Sequence, residues 1–202
     1  MQTIHAGSAE DDYLLPLLRE IGALDGAATL ARLRAAADAH PADPRPLALI
    51  AAEHAQARDY DQAEAAFIGA LRRAPGYAPA RFQLGLLQLS SGRPAAAGAT
   101  WQPLSALPAD DAFRLFKTGL ESLAQNRFAE AALALRAGIA ANRDNPALNA
   151  DMQRFLGEIE RVEAAMAAAP AATVDHLAEA GADSAEASAG EHFLLSNYRK
   201  LH

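Results

Sequence analysis

The sequence predicts an all-α protein built as a stack of antiparallel helix hairpins, and three observations predict it. Alanine supplies 53 of the 202 residues, and alanine is the strongest helix former because it has no side-chain entropy to lose. Aromatic residues are only 6% of the chain, so a few large side chains must carry the packing. Third, small and bulky residues recur with a period of 34. Ala63, Ala97 and Ala131 form one such column, and Phe67, Trp101 and Leu135 a second. Ala51, Gly85 and Gly119 form a third; Tyr60, Pro94 and Phe128 a fourth; Ile50, Leu84 and Thr118 a fifth. Self-similarity of this length is the mark of a repeat architecture, in which each unit buries its apolar face only against its neighbours.

The elements follow in order. Residues 1–9 read as a disordered lead-in. Residues 10–43 read as a degenerate hairpin: Leu33, Ala36 and Pro41 fall in register with Phe67, Ala70 and Pro75, but Pro16 inside the apolar run shortens or kinks the first helix. Three clear units span 44–77, 78–111 and 112–145. Their first helices are expected at 44–57, 78–91 and 112–125, and their second helices at 60–73, 94–106 and 128–142. Pro75 and Pro108 end second helices, because proline cannot continue the hydrogen-bond ladder. Leu148, Met152, Phe155, Ile159 and Val162 recur at intervals of three or four, which predicts an amphipathic capping helix over 146–168. Residues 169–190 are Ala, Gly and Ser with acids and no base, the composition of a flexible or weakly helical linker. Residues 191–202 then turn abruptly apolar.

Composition excludes several functions. No run of about 18 apolar residues exists to span a membrane. The N-terminus lacks the basic end and apolar run of a secretory signal, so a cytoplasmic location is expected. There is no cysteine, hence no disulfide framework, thiolate metal site or cysteine nucleophile. A net charge of −7 with scattered bases argues against nucleic acid and anionic membranes as partners.

The 34-residue period, the Leu84-Gly85 pair, the run from Gln125 to Ala131 and the Phe67…Ala70…Pro75 spacing together resemble the tetratricopeptide repeat. The resemblance covers roughly 10–168 and is strongest over 44–142. It implies a right-handed superhelical stack of hairpins, with the first helices lining a concave groove that grips peptides. Departures are local. The first repeat has Ala51 for the usual glycine and His54 for the usual tyrosine; the second has Leu104 for the last alanine. The third has Thr118 for leucine, Gly138 for alanine and Pro146 three residues late, so its second helix or following loop is expected to be longer.

On this resemblance the groove face comprises Phe82, Leu86 and Leu89 from the second repeat and Phe113, Phe116, Leu120 and Leu123 from the third. Any one of them could be ordinary core, but seven bulky apolar groups on two helices are not expected to bury themselves completely. Family members that clamp the acidic tail of heat-shock chaperones use Lys, Asn and Arg here. This chain has Ala52, Leu86 and Leu120 at the matching places and only Lys117 nearby, so an apolar or amphipathic peptide is the expected ligand. Phe193, Leu194 and Tyr198 make a candidate self-docking segment, across a linker spanning roughly 22–27 Å in root-mean-square terms.

Catalytic and metal motifs are absent. No two of His5, His40, His54, His176, His192 and His202 have the spacing that places both imidazoles on one helix face, and HExxH, GxSxG and phosphate-loop patterns are missing. The expectation is a non-catalytic scaffold or adaptor with no cofactor and no metal, whose partner is another protein or peptide. The alternative is a targeting or substrate-holding arm for an enzyme domain elsewhere. Self-association through an exposed apolar end is a further expectation.

Overall fold

The computed structural model describes residues 13–168. The expectations placed on 1–9, on the linker 169–190 and on the segment containing Phe193, Leu194 and Tyr198 lie outside them. Among the described residues all regular structure is helical, and the chain divides into two compact units, Met1–Pro75 and Gly76–His202. The register runs through this boundary without a break, so the division is not visible in the period.

The first unit contains α1 (Leu14–Ile21), α2 (Gly26–Ala39), α3 (Arg45–Gln56) and α4 (Tyr60–Arg73). The α1 helix is short, and Pro16 sits in its first turn, where a missing N–H leaves no bond unmade. Asp25 starts α2 by accepting the backbone N–H of Ala28 at 2.8 Å. The α2 helix packs on α3, and α3 on α4. Leu17, Leu33, Ala36, Ala37 and Ile50 form the buried cluster, which is thin because most of its members are small or medium-sized.

One end of this unit is tied by polar groups from all four helices. Tyr13, just before α1, stacks on His40 at the end of α2, with ring centroids 3.6 Å apart. Its hydroxyl donates to Asp43 at 2.8 Å, and Arg45 at the start of α3 donates to the same carboxylate from Nη2 at 2.8 Å and from its backbone N–H at 2.8 Å. Arg73, the last residue of α4, donates to the carbonyls of His40 and Asp43. Burial pushes the Asp43 carboxyl up, but the donors from Arg45 and Tyr13 outweigh it and hold the group below its ordinary value.

The second unit contains α5 (Ala78–Ser90), α6 (Pro94–Trp101), a 3-10 turn (Gln102–Ala106), α7 (Ala112–Ala124), α8 (Phe128–Ala141) and α9 (Pro146–Ala168). The α5–α6 and α7–α8 pairs are hairpins, and α9 packs on α8. The second helix expected at 94–106 is α-helical only to Trp101. Pro103 removes a donor and clashes with the preceding turn, so the chain tightens into the 3-10 form. The longer third repeat does not occur either. The α8 helix has the same 14 residues as α4, and Pro146 is the first residue of α9, where proline is favoured, rather than a displaced terminator. Asn142 and Asn149 lock this junction: the Asn142 side-chain amide donates to Asn149 Oδ1 at 2.8 Å, and Asn149 donates to the Asn142 carbonyl at 2.9 Å.

The turn inside each hairpin repeats the same backbone device. Arg58, Gly92 and Asn126, at 34-residue spacing, all have positive φ (61°, 72° and 57°). At each, the next residue's N–H reaches back to the helix: Asp59 to His54, Arg93 to Gln88, and Arg127 to Ser122, at 2.9 Å in every case. This closure satisfies carbonyls that the helix end leaves open, and glycine occupies it without strain at only one of the three sites.

Candidate functional site

The candidate site is the face of α5 and α7 that carries the seven expected anchors. Its geometry is set by where backbones approach closely. A Cβ placed on Gly85 would lie 2.1 Å from Trp101 Nε1, so the indole can cross α5 only because residue 85 is glycine. From there the indole donates to the Phe82 carbonyl at 2.9 Å, satisfying a polar group that would otherwise be buried alone. Gly138 does the same for Phe116, whose ring atom Cδ1 lies 2.5 Å from where a Cβ would stand. The departure from alanine at 138 is thus the space that admits a phenylalanine on α7.

Phe82 is the hub. Its ring centroid is 5.8 Å from Trp101, 5.8 Å from Phe113 and 5.9 Å from Phe116. The structure brings all seven expected residues into or against one cluster, together with Trp101, Leu104, Leu135, Met152, Phe155 and Ile159. It also corrects the expectation that they could not all turn inward. Phe82, Phe116, Leu120 and Leu123 are fully buried, and Leu86 and Leu89 retain only 8% and 7% of their surface. Phe113 alone of the seven is half-buried. The physical reason is that Gly138 makes room for Phe116, and Met152, Phe155 and Ile159 of α9 join the same core.

Polar groups beside this face are already engaged. Lys117 donates to Glu121 at 2.6 Å, one turn along α7, which neutralises the one lysine near the groove and leaves no cationic clamp there. Gln88 and Ser122 are buried polar residues. Gln88 accepts from Thr100 at 2.7 Å, and Ser122 meets Arg127 at 3.2 Å. With His54, whose Nδ1 lies 3.3 Å from Asp59, they form a column of polar residues where the repeat usually has an aromatic. Only His54 stands out as a departure by itself, but the 34-residue register joins it to Gln88 and Ser122. Among the described residues no group of three His, Cys, Asp or Glu side chains is placed to hold a metal ion, and no helix is long and apolar enough to cross a membrane.

Helical hairpins repeating every 34 residues, joined by identical left-handed turns and packed through glycine and alanine contacts, define a helical repeat protein. The family model for the tetratricopeptide repeat matches residues 54–118. Solved structures agree on the fold. MamA 41-end from Desulfovibrio magneticus RS-1 superposes with a TM-score of 0.52 at 15% identity, over 93% of this chain and 94% of that one. A MamA RS-1 ArsTM double mutant gives 0.51 at 16% identity, covering 93% of each chain. No curated protein matches the sequence. The repeat is a protein-interaction fold, and the chain is a module of that kind.

Proposed function

We propose that the protein is a non-catalytic scaffold or adaptor whose second unit takes an apolar or amphipathic peptide against α5 and α7. The observation that carries this reading is Phe113. It is the half-buried edge of the aromatic cluster, tilted by 51° against Phe82 with ring centroids 5.8 Å apart. A ligand side chain laid on that edge gains an aromatic contact and apolar burial, and Phe82, Leu86, Leu89, Phe116, Leu120 and Leu123 form the rigid floor behind it. The pairing of Lys117 with Glu121 favours apolar anchors over an acidic ligand.

The chain's own residues 191–202, with Phe193, Leu194 and Tyr198, have the chemistry such a face takes. Docked in cis they would compete with outside ligands at high effective concentration. The test uses that segment as the probe: a labelled peptide of residues 191–202 titrated into the chain ending at residue 190, followed by fluorescence anisotropy. The expected result is saturable binding, weakened about tenfold or more by Phe113→Glu, with unchanged helical circular dichroism. Equal binding by the variant, or no binding to either chain, contradicts the proposal. Phe116→Glu is the wrong probe, since burying a charge against Gly138 would unfold the unit itself.

A further inference from the structure

We propose that α1 is a releasable strap on the first unit, held shut by the Tyr13 latch. Eight residues do not hold a helix in water by themselves, so α1 depends on what it touches. Leu17 is its one buried residue, set among Leu33, Ala36 and Ala37 of α2 and Ile50 of α3. Leu15 and Leu18 face outward and are exposed. The apolar side chains of α1 are therefore divided between two faces, and only one of those faces is anchored.

Leu14 and Ile21 of α1, partly buried, pack against the same cluster, and the polar ties sit at its two ends. At the first, Tyr13 stacks on His40, donates to Asp43 and lies under the guanidinium of Arg45, 5.6 Å from its ring centroid. At the second, Glu20 receives two bonds from Arg32 at 2.6 Å, but this pair is solvent-exposed and correspondingly weak. The Gly22–Asp25 connection to α2 lies outside both helices and provides the hinge. Opening the latch lifts Leu17 from its socket and uncovers an apolar patch on α2 and α3, while the α3–α4 hairpin, joined by its own turn and by Phe67 and Ala63, stays closed. Access to that patch is thus controlled by the Tyr13 contacts.

Hydrogen–deuterium exchange on the full chain tests this, with Tyr13→Phe and Tyr13→Ala compared against the parent. Local opening shows as exchange confined to one element. The α1 amides are expected to exchange faster than those of α3 and α4 in the parent. Tyr13→Phe keeps the stack and loses the Asp43 bond, so it should speed α1 modestly; Tyr13→Ala should speed it by about tenfold or more with α4 unchanged. Protection of α1 equal to that of α4 in the parent overturns the proposal. So does a uniform acceleration of all four helices in Tyr13→Ala, which would make Tyr13 part of the common core.

Discussion

The two units are built from the same repeat with opposite solutions to an alanine-rich sequence. In the first, the positions facing across the α3–α4 hairpin are small, including Ala51, Ala63 and Ala70, all fully buried. Close backbone approach does the packing there, and a polar knot of Tyr13, His40, Asp43, Arg45 and Arg73 closes one end. In the second, Phe82 and Phe116 stand where the first unit has Ala48, Leu104 stands where it has Ala70 and Trp101 where it has Phe67, and glycines at 85 and 138 make room for Trp101 and Phe116. The lesson is that a column of small residues in a repeat can either bring helices together or leave room for a large neighbour. Which it does depends on the residue across from it.

This comparison can be broken at several points. The largest effect is expected from Trp101→Ala, which removes the largest fully buried side chain and its bond to the Phe82 carbonyl. A loss of about 3–5 kcal/mol should appear in denaturant unfolding of the second unit, with the first unit's transition unmoved. Gly138→Ala should cost about 1–3 kcal/mol by forcing Phe116 aside. Shrinking the ring with Phe116→Leu in the same chain should return part of it. Strict additivity of the two changes would show that Gly138 is not there for Phe116.

The first unit should instead respond to acid. The folded value of Asp43 lies below its unfolded one, so its contribution is complete above the ordinary carboxylate range near ~3.9. It is lost as pH falls through the depressed folded value. Asp43→Asn should cost about 1.5–3 kcal/mol at neutral pH and flatten that acid dependence. An unchanged acid slope, measured by thermal unfolding from pH 7 down to pH 3, would remove Asp43 from the account. The smallest effects belong to the turns. Arg58→Gly and Asn126→Gly should each stabilise by up to about 1 kcal/mol, and Gly92→Ala should destabilise by a similar amount, because φ is positive at all three.

Much of this was legible in the sequence. The period placed every helix pair, since the small columns, the turn positions and the proline signals are local chemistry repeated three times. Pro103 was readable and would have shortened α6. The fate of the seven anchors was not readable. The register assigns a residue to a face but does not say how far a neighbouring glycine or a following helix will close over it, as Gly138 and α9 do. The split between Pro75 and Gly76 was equally hidden, because the 34-residue pattern runs straight through it.

The face of α5 and α7 is a closed aromatic core with Phe113 half-buried at its edge. Trp101 is the only tryptophan in the chain and lies at the centre of that core, 2% exposed and stacked on Phe82. Its fluorescence therefore reports on that core, and iodide quenching of the native chain reads it directly. Blue-shifted emission and almost no quenching are expected, with both lost on unfolding in denaturant. Emission as red and as readily quenched in the native protein as in the unfolded chain would mean that the groove stands open, and would contradict a closed core.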